Sequence, residues 1–185
     1  MSRETVVGGH SIERSVIHAV LAALLLGAVS TFGDFVWANW HLRHRMVYGL
    51  AHGAAICLCI GAVIGARTGS FPAGAAAGPV VGLLAAATFY LLAPMLRYYA
   101  MFPAWMLFWF CFSILQARLS GDRRLGPALT RGLVAAVLSG VAFYMVSGMW
   151  IRPPRGGPDY PTFFLKWSFA FLPGFLALFL TRSNR

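Results

Sequence analysis

Six stretches of about twenty largely apolar residues succeed one another along this chain, and each is long enough to cross the hydrocarbon layer of a bilayer. They run Val16 to Trp40, Met46 to Ala66, Phe71 to Leu92, Ala100 to Ala117, Ala128 to Trp150 and Thr162 to Leu180. Composition agrees: 59% of the residues are hydrophobic and 11% charged, too apolar for a soluble domain with a wet surface. The expectation is an all-α, polytopic membrane protein, a single six-helix bundle over residues 1–185 with no soluble domain between its spans. The first apolar run lacks a small-residue cleavage motif and is long enough to span, so it reads as a retained helix.

The formal net charge is +10. The cations sit in short connections between apolar runs, which points to membrane lipids, anionic headgroups among them, as partners and away from nucleic acid. One side receives Arg3, Arg14, Arg67, Arg118, Arg123, Arg124, Arg131, Arg182 and Arg185. The other receives Arg43, Arg45, Arg97, Arg152, Arg155 and Lys166. The positive-inside bias then places both termini in the cytoplasm. Cys57, Cys59 and Cys111 lie inside apolar runs at spacings that suggest neither a disulfide nor a metal clamp, so they read as packing residues.

Glycine recurs every fourth residue in the second span, at Gly49, Gly53, Gly61, Gly65 and Gly69 with Cys57 completing the ridge, and the third span answers with Gly74, Gly78 and Gly82. Such ridges let backbones approach and gain dispersion contacts that lipid does not replace, so spans two and three are expected to form a tight hairpin. Pro79, Pro94, Pro103 and Pro173 each remove a helical donor and mark kinks or span ends.

Between the first two spans lies Gly33-Asp34-Phe35-Val36-Trp37-Ala38-Asn39-Trp40-His41-Leu42-Arg43-His44-Arg45, followed by Tyr48 and His52. Ionisable groups beside lipid are costly, so this island holds the best candidates for chemistry. If the first helix continues to its end, Asp34, Trp37, His41 and His44 fall on one stripe. His52 lies about as deep in the second span as Asp34 does in the first, so an Asp34–His52 contact is expected.

Three readings remain open. Asp34 and His52 neutralise each other inside the bundle while the surrounding tryptophans, histidines and arginines form an interfacial belt. Alternatively, arginines on the side disfavoured for positive charge grip a phosphate or carboxylate headgroup whose tails lie between the helices. The ligand-binding set is then Asp34, Trp37, Trp40, His41, Arg43, His44, Arg45, His52, Arg97, Tyr98 and Arg155. In the third reading the island is catalytic or metal-bound, with Asp34, His41, His44 and His52 as proton-transfer groups and His41 and His44 as metal-ligand candidates. No His-Glu-x-x-His helix or nucleophile elbow is present, and no cofactor is implied. Haem between His18 and His52 is disfavoured because the two start from opposite sides.

The connection Arg118 to Pro127 reads as a solvated turn at Gly121-Asp122-Arg123-Arg124. Pro158-Asp159-Tyr160-Pro161 reads as a rigid turn in which Asp159 caps the last helix. Gly121-Asp122-Arg123-Arg124-Leu125-Gly126, Tyr144, Gly148, Pro158-Asp159-Tyr160 and Trp167, over the last third of the chain, together resemble the Insig family and its prokaryotic relatives. That resemblance implies a non-enzymatic six-helix bundle with a membrane-open pocket for a sterol- or diacylglycerol-like lipid, and it leaves self-association as a homo-oligomer open. The leading expectation is recognition of an amphiphilic lipid. A membrane enzyme acting on a lipid or isoprenoid, or a small proton-coupled transporter using Asp34 and His52, stand as alternatives. The absence of an internal repeat argues against the transporter.

Overall fold

The computed structural model describes residues 4–40, 44–146 and 158–180, together with their side chains except those of residues 4–11, 45 and 98. Each expected apolar run is a helix: α1 Glu4–Asn39, α2 Arg45–Thr68, α3 Phe71–Leu96, α4 Met101–Leu119, α5 Leu125–Val146 and α6 Tyr160–Phe179. A 3-10 turn, Arg97–Ala100, joins α3 to α4. All six helices are long and apolar enough to cross a membrane. Their outer faces carry exposed large apolar side chains such as Leu21, Leu84, Leu91, Leu138 and Met145, which bulk water would penalise and acyl chains accept. The chain is an integral, multi-pass membrane protein.

The helices form a closed ring. α1 packs along α6, α6 on α5, α5 on α4, α4 on α3 and α3 on α2, while α1 and α2 meet along a thinner seam. The glycine ridges explain the closeness of α2 and α3: a Cβ at Gly61 would strike the carbonyl of Gly74, and one at Gly78 would strike the carbonyl of Cys57. A Cβ at Gly82 would likewise strike the carbonyl of Gly53. Gly69 ends α2 with φ 74°, a left-handed conformation that glycine adopts without a Cβ penalty. Two residues later α3 begins, which completes the expected hairpin.

A second small-residue contact seats α1 on α6. A Cβ at Gly27 would overlap the hydroxyl of Ser168. At the far end of this pair Asn39 donates to the Tyr160 hydroxyl at 3.0 Å, and the Phe35 and Tyr160 rings meet edge to face at 5.5 Å. The core proper is aromatic, with Trp109, Phe112, Phe143, Phe171 and Phe175 fully buried between α4, α5 and α6. Ser139 ties these three helices together: its hydroxyl accepts from the Trp105 indole at 3.1 Å and donates to the Ala170 carbonyl at 2.5 Å. The three polar atoms of that cluster would be costly if left unpaired in an apolar interior.

Pro79 and Pro173 lie within α3 and α6, Pro94 lies in the last turn of α3, and Pro103 lies in the first turn of α4. Asp159 caps α6 as expected, accepting from the Thr162 amide at 3.3 Å and the Thr162 hydroxyl at 2.5 Å. In the α4–α5 turn Gly121 has φ 77°, and Asp122 accepts from the amide and the Nε of Arg124 at 3.0 and 3.2 Å. Those hydrogen bonds hold the Asp122 carboxyl below its ordinary range.

Candidate functional site

Asp34 lies on the last two turns of α1, and its environment is set by α6. The indole N–H of Trp167 donates to its Oδ2 at 2.7 Å. A buried indole needs an acceptor and a partly buried carboxylate needs a donor, so the pair resolves two demands at once. The expected neutralisation of Asp34 by His52 is thus replaced by a hydrogen bond across the α1–α6 contact.

His52 is nevertheless brought to the same level. Gly33, adjacent to Asp34, has no side chain, and the His52 ring occupies the space a Cβ would take there. The Tyr48 ring stacks on His52 at 5.8 Å, nearly parallel at 7°, and the Tyr48 hydroxyl donates to the Gly33 carbonyl at 2.5 Å. Trp37 covers Tyr48 from α1 at 5.3 Å. These contacts make up the thin α1–α2 seam. No hydrogen bond reaches the His52 imidazole among the described residues, so its donor and acceptor capacity is available to a ligand.

Asp34, His52 and Trp167 border a cavity of about 270 Å³. Apart from Tyr90, its remaining walls are small or apolar. Gly49, Gly53 and Gly82 line it from the hairpin, Ala85, Ala86 and Phe89 from α3, and Met101, Trp105 and Phe108 from α4. Gly49, Gly53 and Gly82 border this space, although a Cβ at each would already meet the neighbouring helix, at the Tyr90 hydroxyl, the Ala86 Cβ and the Gly53 carbonyl respectively. Among the described lining residues the only ionisable groups besides Cys57 and Tyr90 are one carboxylate and one imidazole, and there is no cation.

The other expected site residues separate. Trp37 belongs to the seam and Trp40, 61% exposed, lies at the end of α1. α1 stops at Asn39, so its stripe reaches Asp34 and Trp37 but not His44, which is instead the exposed residue preceding α2. The shared stripe through His44 is therefore corrected. Arg97 is exposed at the junction of α3 and the 3-10 turn, with φ 51°, and does not line the cavity. Tyr98 lies in that 3-10 turn and Arg45 begins α2, their side chains being outside the described set. His41, Arg43 and Arg155 lie outside the described residues, so the arginine roof and the His41–His44 metal reading rest there as well. Among the described residues no group of three or more His, Cys, Asp or Glu could hold a metal ion.

Trp167 and Tyr48 carry more of the site than their sequence context indicated. Trp167 stood beside Lys166, a pairing that reads as an interfacial anchor. The available signal was that an indole inside a span usually finds an acceptor, and the acid that supplies it is 133 positions away. Comparison of the chain with family models, curated proteins and solved structures finds no match.

Proposed function

We propose that this protein binds an amphiphilic lipid, with the apolar body of the ligand in the cavity between the α2–α3 hairpin and α4 and its polar head at Asp34 and His52. The observation that carries the reading is a mainly apolar cavity bordered by a carboxylate, an imidazole and the Tyr90 phenol, the usual form of a small-molecule site. Intramembrane ionisable groups are costly to keep without a use, which adds weight to the pair. A carboxylate and an imidazole favour a head that donates hydrogen bonds, a hydroxyl or an amine, over a phosphate. The resemblance to the Insig family points to the same ligand class, a sterol- or diacylglycerol-like lipid in a pocket open to the membrane. By the positive-inside bias the polar edge faces outward and both termini are cytoplasmic.

Native mass spectrometry of the full chain purified in mild detergent tests this. A hydroxyl-bearing lipid should co-purify and be lost on Asp34→Ala or on Ala86→Phe, which fills the cavity. Equal retention by folded wild-type and Ala86→Phe protein would overturn the reading. A second reading, proton transfer to a lipid or isoprenoid substrate, is favoured by the free hydrogen-bonding capacity of His52 next to an acid. It predicts that His52→Ala abolishes turnover while lipid retention persists.

A further inference from the structure

About 22 Å along α2 from His52, at the opposite end of the bundle, Arg67 occupies the last turn of the helix. Its Nη1 lies 2.6 Å from Nδ1 of His18 on α1, and its guanidinium lies 4.1 Å from the centre of the Phe179 ring on α6. Arginine has only donors to offer, so His18 accepts through Nδ1 and carries its hydrogen on Nε2. The guanidinium is thus held by one edge and one face. Neither ion pair of Asp122 involves it; they go to Arg124 and Arg131.

Arg14 stands one turn before His18, and Leu21 and Leu25 continue the same stripe into the span at steps of three and four. Arg14, His18, Leu21 and Leu25 are all exposed. The stripe therefore runs from cationic and N–H donor groups near the start of the membrane-spanning part of α1 to apolar side chains at acyl-chain depth. Two residues, Gly69 and Ser70, connect α2 to α3 beside it, which sets this level at the membrane boundary.

We propose that Arg67, His18 and Arg14 form a binding site for the phosphate of an anionic phospholipid, whose acyl chain lies along Leu21 and Leu25. The forked guanidinium matches phosphate oxygens in two-point contact. Its orientation is already fixed by His18 and Phe179, so little rotamer freedom is lost when a headgroup arrives. The site is separate from the Asp34 cavity and does not depend on the function proposed for that cavity.

The test is native mass spectrometry of the full chain in mild detergent with added phosphatidylglycerol or phosphatidylcholine. Phosphatidylglycerol should be retained preferentially, and Arg67→Ala should lower its occupancy about fivefold, the loss expected for one arginine at a charged surface. Arg67→Lys should lose less. His18→Ala, which frees the guanidinium while keeping its charge, should also weaken retention and serves if Arg67→Ala does not fold. Unchanged occupancy in whichever of these variants folds would overturn the proposal. So would inorganic phosphate alone raising the melting temperature as much as phosphatidylglycerol does, since the site would then be one for free phosphate.

Discussion

Trp167 and Asp34 join the last helix to the first through a 2.7 Å hydrogen bond at the edge of the cavity. The bond closes the helix ring on the side where α1 and α6 pack, and it fixes the carboxylate relative to the lining aromatics. Trp167→Phe keeps the ring but removes the donor. It should destabilise the protein by about 1–2 kcal/mol, measured by unfolding in mixed micelles, because a partly buried carboxylate is left without its partner. Combining Trp167→Phe with Asp34→Leu should cost less than the two single losses added together. Simple additivity would mean that the bond contributes nothing.

Gly33 and His52 form a steric pair across the α1–α2 seam. Gly33→Ala places a methyl where the His52 ring sits, so the thermal midpoint should fall. Adding His52→Ala should restore part of the loss. If the double variant melts no higher than Gly33→Ala, the ring is not what the methyl meets.

Glycines of the hairpin should differ from a glycine in open space. Gly61→Ala drives a Cβ into the backbone of α3 and should cost about 1–3 kcal/mol. Gly126→Ala, in the first turn of α5 with nothing within 4 Å of the added methyl, should be neutral or stabilising by about 0.5 kcal/mol. Melting temperatures of the two variants in the same detergent compare them directly.

The cap of α6 has a predictable pH response. Hydrogen bonds from the Thr162 hydroxyl and amide hold the Asp159 carboxyl below its ordinary range. A depressed folded-state value means that the stabilisation is complete above the unfolded carboxylate value and fades as pH falls through the folded one. Acid should therefore lower the melting temperature of the wild type more than that of Asp159→Asn. Parallel curves for the two proteins down to the acid limit would show that the cap does not titrate in this way.

Much of the architecture was legible along the chain. The six spans follow from hydrophobic length, the α2–α3 hairpin from glycine every fourth residue, and the Asp159 cap from a turn chemistry that needs only three residues. Each is a local property, set by neighbours within a turn or two. The shared level of Asp34 and His52 was also legible, because a short connection between antiparallel helices fixes depth by counting.

Depth alone does not determine which helix stands beside which. That Asp34 meets an indole of α6, that Tyr48 binds the Gly33 carbonyl, and that Gly53 and Gly82 border a cavity as well as closing on each other are results of how the helices pack. Apolar length and small-residue periodicity by themselves made this chain a six-helix membrane protein with one tight hairpin. The order of helices around the ring and the partner of its buried acid were decided only by the tertiary structure, because dispersion and hydrogen bonding between helices depend on rotation and neighbour identity, which no local pattern encodes.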